Sequence, residues 1–283
     1  MKKIKKKAVI VLSLMIIILI WVVYTNVSVG FSEYTIYYDT LPEAFDGFKI
    51  AQVSDFHNAD FGDVREDIVS GIKEYEPDII VFTGDMIDLR RTNVDISLEL
   101  VKVLSEIAPC YYVTGNHEAW VSKKSYTKLE EGLLEYGVTI LRDSEVVLTR
   151  EDDKISLIGV DDPDYSLFRY DKEKSMDAHE INSIATDGLF TIMLSHRPEY
   201  YENYKESDVN LVFTGHVHGG QFRLPFIGGL YGPDQGIFPM YDSGVYEDDE
   251  FAMVVSRGVG NSAFPVRFNN QPEVVLVELK CEK

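Results

Sequence analysis

Five of the six histidines lie in short polar clusters, each directly after a predicted β-strand. The clusters combine histidine with carboxylates, an asparagine and glycines. They are Ser54-Asp55-Phe56-His57, Thr83-Gly84-Asp85, Thr114-Gly115-Asn116-His117-Glu118, Ser195-His196 and Thr214-Gly215-His216-Val217-His218-Gly219-Gly220. Ligands of α/β sheets bind at the carboxyl ends of the strands. We therefore predict that the five clusters meet in one site.

Two of the clusters place a pair of candidate metal ligands at positions i and i+2. Asp55 and His57 form one pair, and His216 and His218 form the other. Such residues point to the same side of an extended chain, so two donor atoms converge from one segment. Carboxylate, imidazole and an asparagine carbonyl suit Mn, Fe, Zn or a similar divalent metal, and they do not suit a thiolate site. The residue types therefore predict a divalent-metal centre.

The order Asp-x-His, Gly-Asp, Gly-Asn-His-Glu, His and Gly-His-x-His resembles that of the calcineurin-like metallophosphoesterases. The resemblance covers nearly all of the chain after the N-terminal segment. The stretches 48–57, 79–88, 111–118, 215–226 and 256–260 look like the membrane-anchored or exported bacterial phosphohydrolases of the YaeI/YkuE-like branch. This resemblance implies an α/β fold, in which a two-sheet β-sandwich is flanked by helices and carries two divalent metal ions.

The resemblance also assigns roles to individual residues. Asp55, His57 and His218 would be ligands of one metal, Asn116, His196 and His216 would be ligands of the other, and Asp85 would bridge the two. It implies that His117 is a catalytic residue that stabilises the transition state or protonates the leaving oxygen, with Asp55 hydrogen-bonded near it. The alternative for His117 is a polar turn residue. No substrate-binding residue is assigned.

The implied function is that of a dinuclear-metal phosphohydrolase, a metal-dependent phosphoric ester hydrolase that cleaves a phosphodiester or a phosphomonoester by attack of metal-bound hydroxide. A carboxylate shared by two dications that lie ~3.5–4 Å apart offsets their repulsion. A bound dication lowers the pKa of water from about 15.7 towards neutral, which supplies the nucleophile. Two alternatives stay open. One is a diphosphatase for nucleotide-linked lipid precursors, and the other is a non-catalytic cell-surface binding module that keeps the fold.

The residues around the expected site leave two further questions open. Arg90 and Arg91 follow Asp85 closely, and they either meet a substrate phosphate or form a solvated charged run. Residues 221–246 carry many aromatic and apolar side chains among glycines and prolines. They form either an apolar rim for a lipid-bearing substrate or a long loop that packs its aromatics against the sheet.

Short β-rich runs and amphipathic stretches predict the elements that carry these clusters. The predicted strands are 34–38, 49–54, 79–83, 111–114, 138–141, 155–160, 190–195, 211–214, 252–256 and 274–279, and the predicted helices are 64–74, 94–107 and 123–135. Their early alternation is typical of βαβ units with a parallel sheet. The later half shows no helical pattern and a turn at 151–153, which favours a second or mixed sheet. Residues 33–283 are predicted to form one catalytic domain.

The N-terminus has the pattern of a membrane segment. Five of the first seven residues are lysine, and residues 8–24 are uncharged and mostly apolar. These seventeen residues would span ~26 Å as a helix, which residues 25–29 can extend. The positive-inside rule keeps residues 1–7 in the cytoplasm. We therefore predict a single-pass transmembrane signal-anchor at 8–29 and an extracytoplasmic catalytic domain. The alternative is a cleaved signal peptide.

Charge and cysteine content limit the partners. The chain has a net charge of −20, and beyond residue 7 it has 22 basic against 47 acidic residues, or −25. Nucleic-acid binding is therefore not expected, since such proteins neutralise phosphates with cations. The expected partners are a phosphoester substrate, for which a lipid-linked and a cell-wall-linked compound are both open, and the membrane through residues 8–29. Cys110 and Cys281 either form a disulfide or, as we favour, remain buried free thiols.

Overall fold

The computed structural model describes residues 2–261 and 263–282. Its α-helices are α1 Lys2–Val27, α2 Val64–Tyr75, α3 Val94–Leu104, α4 Asn116–Trp120, α5 Lys123–Glu135, α6 Pro163–Tyr170, α7 Ala178–Asn182 and α8 Tyr201–Lys205. Its strands are β1 Gly30–Tyr38, β2 Phe48–Val53, β3 Ile79–Thr83, β4 Cys110–Val113, β5 Thr139–Ile140, β6 Ser144–Arg150, β7 Asp153–Gly159, β8 Phe190–Leu194, β9 Leu211–Thr214, β10 Arg223–Leu224, β11 Gly228–Gly229, β12 Tyr231–Gly232, β13 Gly236–Ile237, β14 Gly244–Asp248, β15 Phe251–Val255 and β16 Glu273–Cys281.

Most of these strands form two six-stranded sheets. The first sheet has the order β1-β16-β2-β3-β4-β5, in which β2 to β5 are parallel and β16 is antiparallel to β2. The second has the order β14-β15-β9-β8-β7-β6, with parallel strands in the middle and an antiparallel strand at each edge. The pairs β10/β11 and β12/β13 form two short ribbons beside them.

The two sheets pack face to face, and helices cover their outer faces. Ile50 and Val81 of the first sheet meet Ile192 and Phe213 of the second in one buried core. Alternate residues of the first sheet pack on α2, α3 and α5, whereas the outer face of the second packs on α7 and α8. Strands covered on both faces are continuously apolar, which is why the sequence shows such runs. The predicted two-sheet β-sandwich flanked by helices is confirmed.

The elements predicted for the first half of the chain match the structure closely, and those of the second half match less well. The turn at 151–153 does join two antiparallel strands, β6 and β7. The prediction that no helix follows residue 150 is wrong, because α6, α7 and α8 lie there. They are only five to eight residues long and begin at local caps such as Asp162, whose side chain accepts from the Asp164 N–H. Helices this short show too few turns for apolar periodicity to be visible.

Helix α1 stands out from the sandwich. Its stretch Val9–Val27 is long and apolar enough to cross a membrane, and almost all of that stretch is exposed. Its C-terminal turn contacts the domain through Asn26, which hydrogen-bonds the backbone of Arg267. Cys110 and Cys281 are both free thiols, and Cys110 is the buried one.

Candidate metal centre

The loops that carry the predicted site residues meet at one edge of the sandwich. They follow β2, β3 and β4 of the first sheet and β8 and β9 of the second, at the carboxyl ends of parallel strands. Gln52 joins the sheets there, because its amide donates to Thr83 Oγ1 and to the Thr214 carbonyl, both at 2.8 Å. The Val259 N–H donates to the Ser54 carbonyl at 3.1 Å. These bonds hold the loops of both sheets at a common site.

The backbone of these loops is strained at the predicted ligands. Five of them have positive φ, namely Asp55 at 49°, His57 at 47°, Asp85 at 53°, His216 at 69° and His218 at 49°. L-residues seldom adopt this region, and such strain persists where the surrounding structure enforces it, as at functional sites. Here the Asp55 N–H donates to the Gly84 carbonyl and the His57 N–H to the Asp85 carbonyl. The conformation thus depends on bonds between neighbouring loops.

Two glycines allow these loops to come together. Gly84 has φ of +89°, and a Cβ there would lie 2.7 Å from Gly115 Cα and 2.7 Å from His196 Nδ1. A Cβ on Gly115 would lie 2.3 Å from Asp85 Oδ1. No side chain fits at such distances, so the glycines of the Gly-Asp and Gly-Asn-His motifs are required for the approach.

The first cluster consists of Asp55, His57 and His218, all buried, with one donor atom of each within 4.8 Å of the others. Nε2 of His57 lies 3.1 Å from Nε2 of His218 and 4.0 Å from Asp55 Oδ1. Nε2 of His218 lies 3.5 Å from the same carboxylate oxygen. The structure thus brings together the three residues that the sequence predicts as ligands of one metal.

The second cluster consists of Asp85, His196 and His216, also buried and within 4.8 Å of one another. Nε2 of His196 lies 3.4 Å from Asp85 Oδ2 and 3.1 Å from Asn116 Oδ1. Asp85 Oδ2 lies 3.6 Å from His57 Nε2 as well, so this carboxylate stands between the two clusters. That position is the one expected of a bridging ligand.

Burial and mutual charge set the protonation of these groups. Burial raises the pKa of Asp55 and lowers the pKa of His57 and of His218 well below its ordinary value. Burial also disfavours the charged forms of Asp85 and His196. The attraction between these two groups outweighs that effect of burial. Neighbouring imidazoles, His196 first, hold the pKa of Asp85 well below its usual range, and Asp85 raises the pKa of His196 to about 10. Asp85 and His196 thus favour each other's charged forms, whereas burial favours the neutral imidazoles of His57 and His218.

The donor set fits divalent metal ions. His57 Nδ1 and Asp88 Oδ2 are buried and have no hydrogen-bond partner, although they lie only 3.8 Å apart. Buried polar atoms are normally satisfied, so unsatisfied atoms require an explanation. The Nε2 atoms of His57 and His218 lie 3.1 Å apart, and His218 Nε2 lies 3.5 Å from a carboxylate oxygen of Asp55. Such oxygen and imidazole donors are ligands of Mn, Fe or Zn.

His117 lies beside the clusters, at the second position of α4. Its ring packs edge-on against that of His57, with 4.5 Å between centroids, and its backbone N–H donates to Asp85 Oδ1 at 2.8 Å. The Leu89 N–H donates to His117 Nδ1 at 3.1 Å, so Nε2 carries the proton in the neutral ring. The carboxylate on the Nδ1 side is that of Asp88, at 3.8 Å. Asp55 accepts from Ser54 Oγ and the His216 N–H instead.

Glu118 and Asp88 are buried carboxylates to which the sequence motifs give no role. Glu118 accepts backbone N–H bonds from Asp85, Met86 and Gly115, at 2.8, 2.9 and 2.8 Å. It is the third residue after Gly115, which is the spacing of a capping box, so a sequence signal does exist. Asp88 accepts the N–H groups of Arg90 and Arg91. Its position three residues after Asp85 is a much weaker signal.

Two more charged residues reach the centre from segments without a motif. Arg267 is fully buried, lies 3.2 Å from His218 Nδ1 and donates to the Arg257 and Gly260 carbonyls. Asp234 Oδ2 lies 2.9 Å from His216 Nε2 and accepts from Arg197 at 2.8 Å. No spacing or periodicity in the sequence indicates either contact.

A cavity of about 390 Å³ opens onto both clusters. Its lining includes Asp85, Arg90, Asn116, His117, Trp120, His216, His218, Tyr231 and Phe264. Arg90 lines this cavity, whereas Arg91 donates to the Asn261 carbonyl at 3.1 Å. The cavity thus presents metal-ligand candidates, a cation and aromatic side chains to one ligand-sized space.

Comparisons with known proteins agree with this site. Residues 48–220 match the family model described as calcineurin-like phosphoesterase. The chain is 33% identical to the metallophosphoesterase YkuE of Bacillus subtilis, over 88% of this chain and 85% of that protein. It is 29% identical to the phosphodiesterase YaeI of Escherichia coli, over 82% of each. It is 26% identical to the UDP-2,3-diacylglucosamine pyrophosphatase LpxG of Chlamydia trachomatis, over 86% of this chain and 87% of that protein.

Proposed function

The chain belongs to the calcineurin-like phosphoesterase family, and from that premise we propose that it is a dinuclear phosphodiesterase or phosphomonoesterase that acts outside the cytoplasmic membrane. That it is a metal-dependent phosphoester hydrolase follows from the family. The observation that supports the dinuclear form is the position of Asp85, whose Oδ2 lies within 3.6 Å of His57 Nε2 and 3.4 Å of His196 Nε2.

Two divalent ions, when bound, lower the pKa of a coordinated water and neutralise charge on the phosphoryl oxygens. In this proposal the residues of the two clusters hold them. Asp55, His57 and His218 are the ligands of one ion, Asn116, His196 and His216 are those of the other, and Asp85 serves both. The convergence of their donor atoms within each cluster supports this assignment.

His117 and Arg90 are proposed to act on the substrate from the cavity wall. His117 lines the cavity, and its Nε2 would donate to the leaving oxygen of the ester while the Leu89 N–H is bonded to Nδ1. Arg90 shares the cavity with His117, and its guanidinium would pair with a phosphate oxygen.

A hydrolysis screen tests the proposal. The full chain is stripped of metal, reloaded with Mn, Fe or Zn separately, and assayed against panels of phosphomonoesters and phosphodiesters. We expect activity that depends on added metal and that is lost in Asp85→Asn. Absence of hydrolysis with every metal and ester, in a folded protein that binds metal, would favour the non-catalytic binding module.

A second candidate is a diphosphatase for nucleotide-linked lipid precursors. The similarity to LpxG, whose name describes a pyrophosphatase of such a compound, favours it. An extracytoplasmic domain argues against it, because nucleotide-linked precursors are cytosolic substrates. Adding a nucleotide diphosphate ester of a lipid to the same screen distinguishes the two. Faster cleavage of the diphosphate than of all simple esters would support the second candidate.

The proposed location depends on α1 as a retained single-pass anchor. Five lysines precede its apolar stretch and would stay in the cytoplasm, which leaves the domain outside. Protease added to intact cells, after removal of their outer layers, should therefore digest the domain. Protection equal to that of a cytosolic marker would contradict this orientation. A product without the first thirty residues would indicate cleavage of α1.

A further inference from the structure

Two segments beside the cavity carry very little charge. Residues 221–241 include two charged residues and residues 259–272 include one, although charged residues make up 26% of the chain. Several of their large apolar side chains are exposed to solvent. We call six of these, each at least 45% exposed, the apolar rim: Phe226, Ile227, Ile237, Met240, Phe264 and Val266. Their exposure shows that this region does not simply pack its apolar side chains against the sheet.

Hydrogen bonds join the two segments into one surface. The Arg223 N–H donates to the Phe268 carbonyl at 2.9 Å, and the Gln221 amide donates to the carbonyls of Phe264 and Val266 at 3.1 and 2.9 Å. Within the first segment, the Phe238 N–H donates to the Leu230 carbonyl at 2.9 Å. Phe264 of the rim also lines the 390 Å³ cavity. The apolar rim therefore reaches the cavity of the metal centre through Phe264.

The same surface is attached to helix α1. The Asn26 amide donates to the Arg267 carbonyl at 2.8 Å and its oxygen accepts from the Arg267 N–H at 2.7 Å. One turn and a half earlier in α1, the ring of Trp21 packs edge-on against Phe268, with 5.8 Å between centroids. The second segment is thus held against the end of α1 by backbone bonds and by an aromatic contact.

The position of Trp21 in α1 determines where this surface lies relative to a membrane that α1 spans. Trp21 lies six residues before Val27, where the apolar stretch ends, which is about 9 Å along a helix axis. When α1 spans a bilayer, Phe268 therefore lies at the membrane interface or deeper, in the hydrocarbon core. Aromatic side chains are enriched at that level. Phe264 and Val266 of the apolar rim belong to the same segment as Phe268, and the Arg223 N–H joins the other segment to the Phe268 carbonyl.

We propose that the apolar rim is a second membrane contact, which inserts into the bilayer beside α1 and holds the mouth of the metal centre at the membrane surface. The substrate is then a phosphoester of a lipid that stays in the membrane during cleavage. A net charge of −25 beyond residue 7 gives no attraction to anionic headgroups, so apolar insertion must hold the domain there. The substrate part rests on the proposed function, whereas the membrane contact does not.

Depth measurement tests the contact without any assay of activity. A nitroxide label is placed by Phe226→Cys in a Cys281→Ser background of the full chain, in phosphatidylcholine and phosphatidylglycerol nanodiscs. Cys110 stays unlabelled because its side chain is buried. Burial also raises the pKa of its thiol to about 12, so little of the reactive thiolate forms. The matched control is Leu134→Cys on α5, where the native side chain is 59% exposed.

We expect the label at 226 to be more accessible to oxygen than to a water-soluble nickel chelate, and the label at 134 to show the reverse. Equal accessibility at the two positions would overturn the membrane contact. Dipolar coupling between labels at 226 on separate chains would overturn it too, because the rim would then bind a second copy.

Kinetics test the substrate class. Phe226→Asp with Ile227→Asp is compared with Leu134→Asp, using phosphatidic acid and phosphatidylglycerol in phosphatidylcholine vesicles and p-nitrophenyl esters in solution. In the double variant, loss of the inserted side chains should lower kcat/KM on the vesicle lipid at least ~10-fold. Its kcat/KM on the soluble esters should stay within ~2-fold of that of the unmutated chain. Hydrolysis of the soluble esters without hydrolysis of either lipid would overturn the lipid substrate. Unchanged kcat/KM of the double variant on the lipid would overturn the role of the apolar rim in reaching it. Absence of hydrolysis of every ester by the unmutated chain would overturn the proposed function, while the label at 226 still decides the membrane contact.

Discussion

The buried carboxylate of Glu118 accepts a 2.8 Å hydrogen bond from the backbone N–H of Asp85. The same Glu118 oxygen, Oε2, accepts from the Gly115 N–H, so one carboxylate joins the loop after β3 to the start of α4. Asp85 has positive φ, a backbone region that few non-glycine residues adopt. Glu118 therefore stabilises the backbone that holds Asp85 between the two clusters.

Glu118→Gln should weaken this arrangement. Glutamine has one acceptor oxygen, and its NH₂ group would face backbone N–H donors that then lose their partner. We expect the free energy of unfolding to fall by about 1–3 kcal/mol, the cost of buried groups left unsatisfied. Metal content after gel filtration should fall as well. Glu135→Gln, at an exposed site on α5, is the control and should change stability by less than about 0.5 kcal/mol. Equal stability of the two variants would contradict the role of Glu118.

Asp85→Asn and Asn116→Ala should differ in metal content. The first change removes a charge that would lie between two dications, whereas the second removes one neutral ligand of one ion. Metal per chain, measured by elemental analysis after gel filtration, should therefore fall further in Asp85→Asn. Full occupancy and full activity in that variant would contradict a dinuclear centre bridged by Asp85.

His117→Asn should separate chemistry from metal binding. We expect metal content near that of the unmutated chain and a turnover lower by ~10²–10⁴, the usual contribution of a positioned acid or base. The loss should be smaller for a p-nitrophenyl ester, whose leaving group needs no proton, than for an alkyl ester. Equal losses on both esters would leave only electrostatic stabilisation, and loss of one metal would make His117 a ligand.

Asp161→Asn should change the pH dependence of stability. Asp161 accepts from Thr114 Oγ1 at 2.9 Å, and burial raises its pKa from 3.8 to about 6. The folded state therefore binds this proton more tightly than the unfolded state, so stability from this group is present below pH 4 and lost as the pH rises through 6. Asparagine keeps an acceptor oxygen but does not titrate. Between pH 4 and 7 the free energy of unfolding of the variant, measured in urea, should rise by up to about 3 kcal/mol relative to that of the unmutated chain. Parallel pH curves would contradict this.

Local patterns in the sequence predict the parallel strands and the clustered motifs well, whereas the two-sheet sandwich was implied by the family resemblance. Strands buried on two faces must be continuously apolar, and polar residues that follow them lie at one edge of a parallel sheet. Asp55, His57, Asp85, His196 and His218 were found in this way. The short helices α6 to α8 escaped prediction because a helix of two turns or fewer has little periodicity to detect.

Tertiary structure alone decided which distant residues support the site. Arg267 reaches His218 from a position 49 residues away, and Asn26 bonds the backbone of Arg267 across 241 residues. No spacing encodes such contacts, because they arise only when the sheets have packed and α1 has docked on the segment around Phe268. The residue types at strand ends therefore determine the chemistry from sequence alone. The contact between the end of α1 and the segment around Phe268 depends on how the chain packs.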